Sequence, residues 1–272
     1  MLLQRVITAA VLLVALAAAL WWLEGGWLYT VFCAVGLVAA WEWAGIAGWS
    51  AAADRARYVL LSAVLMGAAW FAARDHGMAP WIWAASTAWW LYAVWLLRDF
   101  TPRLGVARFG RFARAVAGQL MIVPVPLALS AAVEGPGGLA ALGLLFAIVW
   151  GADIGAYFAG RAWGRSKLAP GISPGKTREG ALGGAVLALA IVLPGAAWAL
   201  PLSGKALLAF ALLTIIGVIA SIHGDLVESA FKRVAGIKDS GRLLPGHGGV
   251  LDRVDSLLAV APLYALGLCW LL

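Results

Sequence analysis

The feature that most limits what this chain can become is a succession of nine apolar runs separated by short polar connections. They fall at about 6–23, 27–49, 58–73, 79–97, 115–133, 139–158, 181–200, 206–222 and 257–272. A helix needs about 20 apolar residues to cross the hydrocarbon core of a bilayer, and these runs approach that length. In lipid every backbone polar group must be satisfied within the protein, so such runs fold as helices. Composition agrees: 64% of the 272 residues are hydrophobic and 12% charged, whereas a soluble domain has about 45–50% and 25%. Such a chain has too little polar surface to cover itself in water. The expectation is an all-α polytopic membrane protein of about nine transmembrane helices, with no room for a sizeable soluble domain. Chemistry must then come from loops and helix ends at one membrane face.

The basic residues set the topology. With the N-terminus placed in the cytosol and the runs alternating, 18 of the 20 Lys and Arg fall on the cytosolic side, Arg5, Arg103 and Arg108 among them. Only Arg74 and Lys205 fall outside. Cytosolic loops carry this excess of Lys and Arg, so the N-terminus is expected inside and the C-terminus outside. The competing reading of the first run is a cleaved leader ending in Ala17-Ala18-Ala19; its continuation into Trp21-Trp22 favours an anchor. The same bias accounts for the formal charge of +7 without nucleic acid as a partner. The positive face would instead meet anionic lipid or a phosphorylated substrate. Cys33 and Cys269 lie inside apolar runs with no Cys or His ligand nearby, which argues against a disulfide or zinc site.

Charge divides the chain by function. Five of the thirteen carboxylates fall between residues 225 and 255. The stretch 1–114 reads as a transmembrane scaffold, 115–180 as middle helices with a cytosolic loop, and 181–272 as the catalytic region. If the helix preceding His223 continues, Asp225, Glu228 or Ser229, and Lys232 share one face. A loop follows, Leu243-Leu244-Pro245-Gly246-His247-Gly248-Gly249, whose glycines permit close approach of a ligand. Asp252 and Asp255 come next at i, i+3 spacing, with Arg253 between them. Two carboxylates on one helix face with cations nearby suit Mg²⁺ carrying substrate phosphates. A solvated, charge-balanced loop is the plain alternative, disfavoured beside the membrane in a chain otherwise short of charge. Asp153, in or at the end of an apolar run, is a functional-site candidate by its cost in lipid, the alternative being a pair with Arg161. The loop Lys167–Gly180 offers Ser173, Lys176 and Thr177 as donors to phosphate; it is not a Walker loop. Glu42, between Trp41 and Trp43, is expected to pair with a neighbouring helix and is given no catalytic role.

These blocks form a signature. Ser229-Ala230-Phe231-Lys232-Arg233, Lys238-Asp239, Pro245-Gly246-His247-Gly248-Gly249 and Asp252-Arg253-Val254-Asp255 resemble, in order and spacing, that of the phosphatidate cytidylyltransferase (CDP-diacylglycerol synthase) family. Asp153–Tyr157 and Ser173–Gly180 resemble two further blocks of it, so the match covers roughly 153–256. Ile154 and Gly175 depart from the residues usual there, but neither change removes a carboxylate. The resemblance implies a homodimeric enzyme of the bacterial inner membrane, its site facing the cytoplasm, that uses Mg²⁺, one ion or two, to join CTP and phosphatidate. On this reading Asp225, Asp252 and Asp255 hold metal with help from Asp153. Lys232, Arg233, Lys238 and Arg253 neutralise phosphates, and Asp239 and His247 belong to the same catalytic set. Ser173, Lys176, Thr177 and Ser229 contact substrate, and the Gly248-Gly249 backbone lets the triphosphate approach. A CTP-dependent kinase acting on a polyprenol or other lipid would use similar groups but move the γ-phosphoryl. An anion transporter would tend to show paired broken helices in repeated halves, and no such symmetry is visible.

Overall fold

The structure is a computed structural model that describes residues 2–98 and 109–272. Arg103 and Arg108 lie outside the described residues, and so does the side chain of Arg5. The helices are α1 (Leu2–Trp22), α2 (Gly25–Ile46), α3 (Ala52–His76), α4 (Ala79–Leu97), α5 (Arg111–Ile122), α6 (Pro124–Glu134) and α7 (Gly138–Trp163). A hairpin of β1 (Lys167–Ala169) and β2 (Ser173–Thr177) precedes α8 (Arg178–Ala199), α9 (Lys205–Val234) and α10 (Leu251–Leu271). Among the described residues, seven segments are long and apolar enough to cross a bilayer: α2, α3, α5 with α6 as one rod, α7, α8, α9 and α10. They fit a polytopic all-α membrane protein. The apolar part of α1, Val6–Trp22, is shorter, and α4, of 19 residues, is not among the seven.

Local chemistry explains several boundaries. Pro124 lacks an N–H, so the rod from Arg111 to Glu134 is interrupted at Val123, which keeps helical angles on both sides. α3 stops at Gly77, whose left-handed φ of 62° favours glycine. Thr177 caps α8 by accepting the Gly180 N–H at 3.1 Å. The loop expected over 167–180 is in part the β-hairpin. Its strands of 3 and 5 residues carry no alternating pattern that would reveal them.

Outward faces are apolar: Leu208, Leu212, Ile216 and Ile219 on α9 are exposed. So are many tryptophans near helix ends, including Trp22, Trp27, Trp163, Trp198 and Trp270, as an interfacial belt requires. Inward, one set of buried apolar residues runs from Leu28 to Ala265. The bundle has a polar end and an opposite end. The Thr8 hydroxyl donates to the Pro245 carbonyl (3.2 Å), placing the start of α1 beside the 236–250 loop. At the other end, Arg74 of α3 pairs with Glu134 of α6 at 3.1 Å.

The tightest packing is between α7 and α8. A Cβ at Gly155 would lie 2.5 Å from the Gly183 carbonyl oxygen, and one at Gly184 would lie 2.5 Å from that of Ala152. The small-xxx-small spacings at Gly151/Gly155 and Gly180/Gly184 are thus used within one chain. Gly184→Val is expected to destabilise by about 1–3 kcal/mol, the cost of overpacking, since backbone cannot move aside as a side chain can. The thermal midpoint in detergent checks this.

Candidate active site

α9 runs without a break from the apolar run into Val234, so Asp225, Glu228, Ser229 and Lys232 do share a face. α10 starts at Leu251 and brings Asp252 and Asp255 alongside. Gly224 makes this possible: a Cβ there would sit 2.6 Å from the Asp255 carbonyl oxygen. The Ser256 hydroxyl stitches the same level by donating to the Ser221 carbonyl at 3.1 Å.

The result is a cluster of Asp225, Glu228 and Asp255, each offering a carboxylate oxygen within 4.8 Å of the others. Around it, Lys232 Nζ donates to Glu228 (2.7 Å) and to Asp252 (2.6 Å), all three side chains being under 10% exposed. Asp252 also accepts the backbone N–H groups of Ser240 and Gly249, each at 2.9 Å. Lys176, carried by β2, reaches Asp225 at 2.7 Å and donates to the Ile222 carbonyl at 3.2 Å. The Ser229 hydroxyl donates to Asp225 at 3.0 Å. Counted as formal charges, four carboxylates face two ammonium groups, an excess of negative charge that one divalent cation would balance. Among the described residues Glu228 Oε1 is buried with no hydrogen-bond partner, a position that calls for a water or an ion to satisfy it. An all-oxygen donor set with a bare oxygen suits a hard divalent cation.

The expected site residues stand at different distances from this cluster. Asp225 and Asp255 stand in the carboxylate cluster, while Asp252 is engaged by Lys232 and two backbone amides. Asp153 lines a cavity of about 210 Å³ under the hairpin, with Lys176, Thr177 and Gly175; Arg161 turns to the Tyr157 hydroxyl instead, at 3.0 Å. Gly248 and Gly249 lie against Asp252, and a Cβ at Gly248 would approach its Oδ2 to 2.8 Å. Arg253 donates to the His247 carbonyl at 3.1 Å. Further out, Lys238 and Asp239 are exposed on the loop, and Arg233 donates to the Ile237 carbonyl at 3.2 Å. Ser173 is half-buried at the start of β2, paired with Ala169. Thr177 spends its side-chain oxygen on its own helix.

Two residues were undervalued by sequence reasoning. Glu228 stands at i, i+3 from Asp225 in the sequence, where Ser229 competes with it for the same face. Glu42 lies far away in sequence, and its one signal was a charge inside an apolar run.

A second cavity, of about 460 Å³, opens between α1, α2, α6, α7 and α10. Its walls include Leu16, Phe32, Val35, Trp150 and Leu257, and Arg253 stands among its lining residues.

Residues 3–270 match the cytidylyltransferase family. The chain is 41% identical over 273 residues to a phosphatidate cytidylyltransferase of Pseudomonas aeruginosa, covering 99% of this chain and 97% of that protein. It is 48% identical over 130 residues to one from Haemophilus influenzae, covering 47% of this chain and 45% of that protein. A Brucella suis phosphatidate cytidylyltransferase is 49% identical over 136 residues, 47% of this chain and 46% of that protein.

Proposed function

That this chain belongs to the cytidylyltransferase family is the premise from which we propose its reaction: CTP and phosphatidate give CDP-diacylglycerol and pyrophosphate. The observation that carries the mechanism is the cluster of Asp225, Glu228 and Asp255, with its uncompensated charge and its bare Glu228 oxygen. These three side chains would hold Mg²⁺, one ion or a pair, which when bound would draw charge from the phosphate oxygens. A phosphate oxygen of phosphatidate forms a bond to the α-phosphorus of CTP. The bond from that phosphorus to the bridging oxygen breaks, and pyrophosphate leaves with the electron pair. A phosphate monoester has a second pKa of about 6, so the nucleophile is already largely dianionic and needs no general base.

What the dianion needs is relief from repulsion by the triphosphate. Lys176 is a quarter exposed beside Asp225, where a phosphate oxygen can compete for it. Arg253, Arg233 and Lys238 add positive charge around the mouth. Lys232 works differently, holding Glu228 and Asp252 in register. Gly248 and Gly249 leave room for the triphosphate next to Asp252. The cavity beneath the hairpin is assigned to the nucleotide, with Asp153 in its wall as a helper to the metal-holding carboxylates and Ser173, on the same strand as Lys176, as a substrate contact. The 460 Å³ cavity beside Arg253 is assigned to the acyl chains of phosphatidate. The phosphate and its tails thereby meet the nucleotide where the polar end of the bundle adjoins lipid.

The finer topology belongs to the same reading: nine spans, N-terminus in the cytosol, C-terminus outside, in a bacterial inner membrane with the site facing the cytoplasm. Both CTP and membrane-embedded phosphatidate are accessible there. A homodimer would use surfaces other than the glycines that join α7 to α8. The division at 114 and 180 stands as a division of labour, although Lys176 and the groove wall come from outside 181–272.

Product release tests the reaction. Pyrophosphate formed only with phosphatidate, CTP and Mg²⁺ together, and stopped by a chelator, is the expected result; CDP in its place would make the protein a lipid kinase. For the groove, Val35→Trp is expected to raise KM for long-chain phosphatidate about tenfold, the worth of roughly two buried methylenes. KM for CTP should not change. Equal KM values for long and short acyl chains in both proteins would remove the groove from the account.

A further inference from the structure

Glu42 belongs to α2, in the stretch expected to serve as scaffold, yet its carboxylate ends inside the signature loop. It is 5% exposed. One oxygen accepts the Val250 N–H at 3.1 Å; the other accepts the Leu251 N–H at 2.8 Å and the Ser240 hydroxyl at 2.9 Å. Val250 caps α10 and Leu251 is its first residue. The opening N–H groups of a helix have no partner within it, and Val250 offers no side-chain acceptor. A carboxylate from another helix fills that role, favoured by the positive end of the helix dipole. Gly241 and Gly249 provide the space, since a Cβ on either would run into the Glu42 carboxylate. Ser240 and Gly249, which flank Glu42, also donate the backbone N–H groups that hold Asp252.

We propose that Glu42 is a positioning residue for cytidylyl transfer. From α2 it fixes the start of α10 and the 240–249 loop, and so sets Asp252 against Lys232 and Asp255 against Asp225 and Glu228. This rests on the reading of the carboxylate cluster as the catalytic centre. Because both oxygens are occupied by donors, the isosteric Glu42→Gln must turn its NH₂ toward an N–H or hydroxyl donor. The start of α10 then shifts while the size of the side chain is kept.

The test compares wild type, Glu42→Gln, Ser240→Ala and Glu134→Gln, purified in detergent. Measured are thermal midpoint, kcat, the Mg²⁺ concentration giving half-maximal rate, and the rise in thermal midpoint on adding Mg²⁺ without CTP. For Glu42→Gln, kcat per folded molecule is expected to fall and half-saturating Mg²⁺ to rise, together by about 10–100-fold, as for outer-shell partners of metal sites. Its Mg²⁺-induced rise in thermal midpoint should shrink. Ser240→Ala, which removes one donor to Glu42, should show the same changes in smaller degree. Glu134→Gln, at the opposite end of the bundle, should match wild type. A merely structural Glu42 would lower the thermal midpoint but leave kcat and the Mg²⁺ response of folded molecules unchanged, and that result overturns the proposal. If Glu42→Gln fails to fold, a wild-type Mg²⁺ response in Ser240→Ala overturns it. Wild-type protein that transfers no cytidylyl group would instead count against the reaction itself.

Discussion

Asp255→Asn is expected to lower cytidylyl transfer about a thousandfold while leaving the protein folded. The amide is the same size, and its oxygen can still accept the Ser256 N–H that Asp255 accepts at 2.7 Å. What is lost is one of three carboxylates held within 4.8 Å of each other. A metal site contributes several kcal/mol of transition-state charge stabilisation, and about 1.4 kcal/mol is a factor of ten. The same substitution relieves repulsion among crowded carboxylates. The thermal midpoint without Mg²⁺ should therefore stay level or rise, while the increase on adding Mg²⁺ disappears. Activity and stability moving apart is the signature of a site that holds charge for function at a cost in stability. An Asp255→Asn protein with near-normal turnover would show that the cluster is not the reaction centre.

Lys232→Met should have the largest effect on stability. The Lys232 ammonium serves Glu228 and Asp252 together, and all three side chains are almost wholly enclosed. Breaking a buried ion pair by removing one partner costs about 3–5 kcal/mol, because the remaining charge is left without compensation. Here two carboxylates lose their cation, so poor recovery of folded protein and a sharply lower thermal midpoint are expected. The double variant Lys232→Met/Glu228→Gln removes one of the stranded charges and should recover part of the stability without recovering turnover. If Lys232→Met instead keeps its stability and loses only affinity for CTP, the lysine faces substrate, as its place in the signature suggested.

That last contrast shows what the sequence could and could not display. Hydropathy marks the helices because each apolar run must be long enough for lipid, and helical spacing alone puts Asp225, Glu228 and Lys232 on one face. The arrangement of partners was not legible. Whether Asp252 meets a metal or Lys232 depends on how the 240–249 loop folds back onto the start of α10, which no periodicity encodes. The β-hairpin escaped notice because Pro170, Gly171, Pro174 and Gly175 read as loop, and strands of 3 and 5 residues carry too few positions for a pattern. In sequence Glu42 reads as a charge to be paired by a neighbouring helix, with nothing to say which one. Its partners lie about 200 residues away at Ser240, Val250 and Leu251, a separation that only the packed bundle closes.

The central claim is that the cytidylyl group, not the terminal phosphoryl, moves to lipid. Purified protein supplied with phosphatidate, Mg²⁺ and CTP labelled separately at the α- and γ-phosphates tests it most directly. Label from the α-phosphate should enter the lipid fraction, with γ-label recovered as pyrophosphate. Entry of γ-label into lipid, or entry of neither label with folded protein, would contradict the account.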